Sequence, residues 1–344
     1  MTTADERTAL ELPDEVWREV DRETAAVLES VPRPYSCVLT GSLVDGLGNA
    51  NSDIDLYVIA PDGGSGARAT AIGVRDNRYV DCEYMTVGSL ASLADRTVGV
   101  TPVGATALSH KDVDRFYRVA IGFRYEVDPA MADLLARFQV EVAAAAVERW
   151  ATAESARWLA RAHLACATGD RSTLLRFREA AIWWATARLA AAGDGYPAPK
   201  WVIEKARRTW APGHPEAELL ARFRRTRPEG VTDAIALLHE VLACPDEVVS
   251  ALAAPSWSLG QGVRVVDGQD DVHLVLGRRR IVRLTPETAA ACRALAASGD
   301  WSTATRHVSA QLGVPDAVAR IGLVPGMRRL VASGFMTEVS DAGA

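Results

Sequence analysis

The sequence predicts an α+β protein in three parts, and three observations carry that reading. Short runs of alternating apolar and polar residues, the pattern of half-buried strands, cluster around Cys37 to Ile59 and Arg78 to Met85. From Ser89 to about residue 250, apolar residues recur instead at helical intervals. Past a composition shift at Pro245 to Gly262, three short strand patterns are followed by three helical ones. The expected parts are a small mixed-sheet domain over residues 1–105, a helical domain over 106–250 and a small domain over 257–340.

Composition narrows the function classes. The chain has 344 residues and a net charge of −6, with no run of five or six like charges, which disfavours a nucleic-acid surface. The five cysteines (Cys37, Cys82, Cys166, Cys244, Cys292) are scattered in apolar neighbourhoods without a Cys-x-x-Cys pair, as reduced core residues are. Charges interrupt the first seventeen residues, and no uncharged span approaches eighteen. A cytoplasmic protein with no membrane partner is expected.

Residues Pro13 to Ser30 place Val16, Val20, Ala25 and Val27/Leu28 at helical spacing, and Pro32 and Pro34 end that helix. A strand then runs to Gly41. The turn Thr40-Gly41-Ser42 opens a helix start, where unpaired amides and the helix dipole favour an anion; equally, Gly41 serves a tight turn. Asp45, Gly46, Gly48, Asn49 and Asn51 read as loop, and the Gly-Lys-Ser/Thr ending of a Walker loop is missing.

Eleven residues after Gly41 comes Ser52-Asp53-Ile54-Asp55-Leu56. Strand side chains alternate, so Asp53 and Asp55 share an exposed face while Ile54 and Leu56 point inward. Two like charges on one face repel unless a cation lies between them, and Mg2+ prefers carboxylate oxygen. The alternative is a strand end with solvated acids. After the turn Pro61 to Gly66, the strand pattern Arg78 to Met85 sets Val80, Cys82 and Tyr84 on one face and Asp81, Glu83 and Met85 on the other, offering a third carboxylate.

Gly41-Ser42, a turn-rich spacer, then Ser52-Asp53-Ile54-Asp55-Leu56 resembles the signature of the polymerase-beta-like nucleotidyltransferase superfamily, in its antibiotic and minimal nucleotidyltransferase branches. The resemblance implies that Gly41, Ser42 and Ser52 lie at the triphosphate. It also implies that Asp53 and Asp55 hold Mg2+, and that Asp81, with Glu83 as competitor, is the third acid and assists deprotonation of the acceptor. ATP is the implied donor.

Met131, Leu134, Leu135, Phe138, Val142 and Val147 mark helix, and a further helix is expected from Ser172 to Ala192, capped by Ser172 and stopped by Gly193. This region resembles the helical bundle that follows the catalytic domain in many antibiotic nucleotidyltransferases. In Pro197 to Lys205, Lys200 or Lys205 offers charge to a triphosphate and Trp201 a stacking face; the bland reading makes the tryptophan core and the lysines surface. Trp183 and Trp184 read as core. Arg157 and His163 have the loose spacing of small RNA-cleaving helical domains, a pairing expected by chance in an arginine-rich helix. The remaining histidines show no metal-ligand spacing.

Strand patterns near Val263–Val266, His273–Leu276 and Ile281–Leu284 precede Thr285-Pro286-Glu287, a strong helix start, and helices at about 286–297, 302–312 and 315–333. Three strands then three helices resemble winged-helix-like peptide-recognition modules, in which a peptide adds a strand to the sheet edge. A docking or dimerisation domain fits equally, and the acidity of the chain disfavours a DNA-binding wing.

The expectation is a Mg2+-dependent nucleotidyltransferase that moves a nucleoside monophosphate from ATP or another NTP to a hydroxyl or other acceptor on a small natural product, peptide or protein. The rival is a non-catalytic nucleotide-binding regulator that recruits a partner through its terminal module. The acceptor and the oligomeric state are open.

Overall fold

The first described helix, α1 (Asp14–Leu28), buries Val16, Trp17, Val20 and Leu28 along one side, following the apolar spacing of its sequence. It packs on a five-stranded sheet made of β1 (Ser36–Thr40), β2 (Ile54–Ala60), β3 (Ala71–Arg75), β4 (Arg78–Thr86) and β5 (Phe123–Glu126). In this computed structural model the described residues are 13–29, 31, 33–49, 52–63, 71–75, 78–269, 271–277 and 280–339. The features expected at Ser30, Pro32, Asn51 and Gly64 to Gly66 lie outside them.

The sheet order is β3-β4-β2-β1-β5, mixed as expected: β2 runs parallel to β4, and the other pairs are antiparallel. A one-turn helix, α2 (Gly41–Val44), follows β1. Three helices follow β4: α3 (Val87–Thr97), α4 (Pro102–Ala105) and α5 (His110–Ile121). The Thr86 and Ser109 side chains start α3 and α5 with capping boxes, so these helices begin where sequence chemistry places them. A short helix, α6 (Ala132–Leu135), leads to the long helices α7 (Val140–Ala167) and α8 (Thr173–Ala191). Helix α9 (Val202–Thr209) follows a 3-10 turn at Pro199–Trp201.

Both sheet faces are buried, which differs from the exposed acidic face expected from alternation. Cys37, Leu39, Ile54, Leu56, Val58, Val80 and Cys82 pack with α1. The opposite face carries Tyr57 and Ile59, also buried, and α5 packs there against β1. The physical reason is that β2 is central: Asp55 sits in a run whose neighbours on both faces are apolar.

The chain divides into two compact units. The first comprises residues 1–150 and 186–212, and the second residues 151–185 and 213–344, so α7 and α8 contribute to both. In the second unit, α10 (Pro215–Arg225), α11 (Val231–Leu242) and α12 (Asp246–Ala253) lead into β6 (Ser256–Leu259). A three-stranded antiparallel sheet follows, of β7 (Val263–Asp267), β8 (Val272–Leu276) and β9 (Arg280–Arg283). Then come α13 (Pro286–Ser298), α14 (Trp301–Leu312) and α15 (Asp316–Ala332), and β10 (Met336–Val339) returns to pair with β6. The three strands and three helices stand where the sequence patterns put them, while the β6–β10 pair was not foreseen. Trp257 on β6 meets Trp301 edge to face at 4.8 Å in this core.

Trp183 and Trp184 are buried, as core residues. Cys37, Cys82 and Cys292 are buried, Cys166 and Cys244 half-buried, and all five are free thiols. No helix of the described residues is long and apolar enough to cross a membrane.

Candidate active site

The acids meet where β1 ends and β2 begins. Asp55 is paired across the sheet with Thr40 on one side and with Asp81 on the other. Paired residues of parallel strands point to the same face, and neighbouring strands lie about 4.8 Å apart, so the Asp55 and Asp81 carboxylates stand side by side. Asp53 lies one residue before β2 and is exposed. Glu83 is two residues further along β4, opposite Tyr57.

Gly41 makes this crowding feasible. Its φ of +82° is a left-handed value, and a Cβ built on it would stand 1.9 Å from Asp55 Oδ2. Only glycine lets the turn after β1 close over that carboxylate. Ser42 is buried beside it, and its carbonyl accepts from the Leu47 and Gly48 amides. Thr40 does not cap α2 with its side chain, because its hydroxyl donates to the Arg118 carbonyl at 2.6 Å. Ser52 closes the loop differently: its hydroxyl accepts from the Asn49 amide at 2.9 Å.

Sequence reading missed the cations opposite the acids. On α5, Lys111, Arg115 and Arg118 recur on one side of the helix, a spacing visible in the sequence. Arg118 Nη1 donates to Asp55 Oδ1 at 3.2 Å, and its Nε faces Asp114 Oδ2 at 3.1 Å. Arg115 pairs with Glu83, and Lys111 stands 3.9 Å from the same carboxylate. Asp81 has no such partner: its Oδ1 is buried and unbonded among the described residues.

Burial pushes the Asp55 carboxyl up to about 6; Arg118 opposes that shift, and Asp81 and Asp53 add to it. The same environment holds Arg118 firmly cationic, since Asp114, Tyr196 and Asp55 outweigh its desolvation.

A second network fixes the loop beyond α2. Arg208 on α9 donates to the Asp45 carbonyl and to Asp45 Oδ2, both at 2.6 Å, and clamps Asp194 through Nε and Nη2 at 2.6 and 2.7 Å. Tyr117 and Thr209 add hydrogen bonds to Asp45 and Asp194. Lys205 is fully buried and donates to the Tyr196 carbonyl at 2.6 Å; burial lowers its ammonium to about 8. It therefore serves this network as an internal donor. Lys200 lies in the 3-10 turn, exposed, with its ammonium 5.4 Å from the Trp201 ring centre.

Arg157 is engaged by Glu154, and His163 faces the His239 ring at 5.8 Å, its pKa lowered by burial and then by that second histidine.

Among the described residues, no three His, Cys, Asp or Glu side chains converge closely enough to hold a metal by themselves. The donor set still suits Mg2+, which takes one or two carboxylates and fills its octahedron with water and substrate phosphate. Asp81 Oδ1, without a hydrogen bond among the described residues, and the neighbouring Asp55 carboxylate are the oxygens such an ion would take.

No protein-family model matches the chain, and no curated protein matches its sequence. Among solved structures, the nucleotidyltransferase-like protein from Exiguobacterium sibiricum 255-15 aligns over 68% of this chain and 76% of that one, with 16% identity and a TM-score of 0.38. A likeness of that size carries no argument, so the chemistry rests on the geometry above.

Proposed function

We propose that the first unit is the catalytic half of a Mg2+-dependent nucleotidyltransferase. The observation that carries this reading is the in-register pair of Asp55 and Asp81, closed over by Gly41, with one buried carboxylate oxygen left open. In this account Asp55 and Asp81 would hold Mg2+ together with water and substrate phosphate, and the exposed Asp53 would add its carboxylate once the nucleotide is bound. When bound, the metal neutralises the triphosphate and lowers the barrier to attack at the α-phosphorus.

The chain's own residues then do the positioning. The Gly41 and Ser42 amides meet the triphosphate, and Ser52 and Lys200 add polar contacts. Asp81, the acid without a cationic partner, takes the proton of the acceptor hydroxyl as its oxygen bonds to the α-phosphorus and the bond to the β-phosphate breaks, releasing pyrophosphate. Glu83, tied to Arg115 and Lys111, holds α5 in place instead of reacting. Arg118 is the resting counter-ion of Asp55. ATP is the assigned donor. The acceptor is a hydroxyl or other group on a small natural product, peptide or protein. The winged-helix-like strands and helices of β7–β9 and α13–α15 recognise or dock it.

One observation favours a second reading, a nucleotide-binding regulator: arginines already neutralise Asp55 and Glu83. Incubation with α-labelled ATP, Mg2+ and candidate acceptors separates the two. The enzyme reading expects label on an acceptor, lost when Asp53 and Asp55 are both changed to Asn. ATP binding without transfer to any acceptor supports the regulator.

A further inference from the structure

The second unit holds a cavity of about 230 Å³. Its lining includes Arg161, Arg176, Arg283 and Arg329, with Glu287 and Thr288. At ~30 Å³ per water it has room for a cluster of waters, yet it falls below the ~300 Å³ at which pockets for drug-sized ligands begin. A small polar molecule of several heavy atoms would fill it.

The charges in the wall do not balance one another. Arg283 pairs with Asp271 at 2.7 Å, and Arg176 is shared between Asp170 at 3.0 Å and Glu287 at 3.1 Å. Arg161 and Arg329 make no ion pair among the described residues. Arg161 is half-buried, with its guanidinium 3.9 Å from the Trp158 ring centre, so its planar fork is held in place. Its cationic form is disfavoured by burial and then by Arg176 and Arg329, with Glu287 and Glu154 opposing the shift.

Two further features point to a ligand with two kinds of group. Helix α13, thirteen residues long, starts at this wall, and Thr285 makes no side-chain cap because its hydroxyl donates to the Thr288 hydroxyl at 2.9 Å. The first-turn amides add to the positive field. Glu287, 7% exposed, gives Oε1 to Arg176, while its Oε2 is buried with no hydrogen-bond partner. Two guanidiniums without an ion pair among the described residues match a phosphate dianion, and the Glu287 carboxylate, whose Oε2 has no hydrogen bond there, matches an ammonium.

We propose that this cavity binds a small phosphorylated amine, its phosphate on Arg161 and Arg329 at the start of α13 and its ammonium on Glu287. The same chemistry occurs in a free metabolite and at the head of a phospholipid.

Isothermal titration of the full chain with inorganic phosphate and with O-phosphoethanolamine, at fixed ionic strength, tests the site. Wild type is expected to bind both saturably and O-phosphoethanolamine more tightly. Arg161→Gln with Arg329→Gln weakens both about tenfold or more, the loss expected from two charge-assisted contacts. Glu287→Gln removes the one acid of the wall, so inorganic phosphate binds more tightly and the preference for the amine disappears, a gain that misfolding cannot produce. Asp55→Asn leaves all of this unchanged, which separates the cavity from the candidate active site. Co-sedimentation with phosphatidylethanolamine vesicles, lost in the double arginine variant, would assign the lipid source; its absence assigns the free one. The proposal is overturned if wild type binds neither compound saturably, if the double arginine variant binds like wild type, or if Glu287→Gln fails to tighten phosphate.

Discussion

Asp55→Asn is expected to stabilise the metal-free protein at neutral pH. A carboxyl that titrates at about 6 when folded and near 3.8 otherwise is a group whose ionised form the fold resists. The sign follows from proton binding. Between roughly pH 4 and pH 6 the folded state holds a proton that the unfolded state has released, so stability falls as pH rises through that window and is flat above it. The cost, at 1.36 kcal/mol per pK unit, is about 3 kcal/mol at pH 7.5, and it already includes the attraction of Arg118. Asparagine keeps the shape and removes the charge. For a domain of this size ~3 kcal/mol corresponds to roughly 6–12 °C in Tm. Differential scanning fluorimetry of wild type and variant, without divalent cation, from pH 4 to pH 8 measures it. The two should nearly coincide at pH 4 and separate by pH 6.5, with the variant higher. A variant that melts lower than wild type at pH 7.5, or a difference that ignores pH, refutes the reasoning.

Three other outcomes follow from the same contacts. Gly41→Ala places a methyl 1.9 Å from Asp55 Oδ2 at a left-handed φ, and a loss of at least about 2 kcal/mol in urea unfolding is expected. Arg208→Ala takes from the nearly buried Asp45 and Asp194 the guanidinium they share and should cost about 2–3 kcal/mol, with faster amide exchange over residues 41–49; Arg208→Lys restores little, because it cannot grip both acids through a planar fork. Arg118→Gln removes the resting counter-ion of Asp55, so calorimetric Mg2+ affinity without nucleotide should rise about tenfold. An unchanged affinity would mean that Arg118 does not compete for that carboxylate.

Much of the sheet was legible because alternation is a local signal. Ile54 and Leu56 face the interior as their spacing requires, and Asp81 falls beside Asp55 once β2 and β4 pair. Burial of the acidic face was not legible, since it depends on α5, whose packing partner no local pattern names. The arginines of α5 carried a readable helical spacing, but which acids they meet is a tertiary fact. The hold of Arg208 on Asp45 spans 163 positions and has no signature in either segment. In the second unit, Pro286 at the first helical position and Glu287 in the first turn located α13, although Thr285 makes no side-chain cap, whereas the pairing of β6 with β10 joins two short runs far apart in sequence.

The most direct test of the central claim is a Mn2+ titration followed by electron paramagnetic resonance in the presence of a non-hydrolysable ATP analogue. The account expects saturable Mn2+ binding by wild type, at least about tenfold weaker binding by Asp55→Asn and by Asp81→Asn, and little change in Glu83→Gln. Binding that survives in both aspartate variants, or that is lost with Glu83 instead, would contradict it.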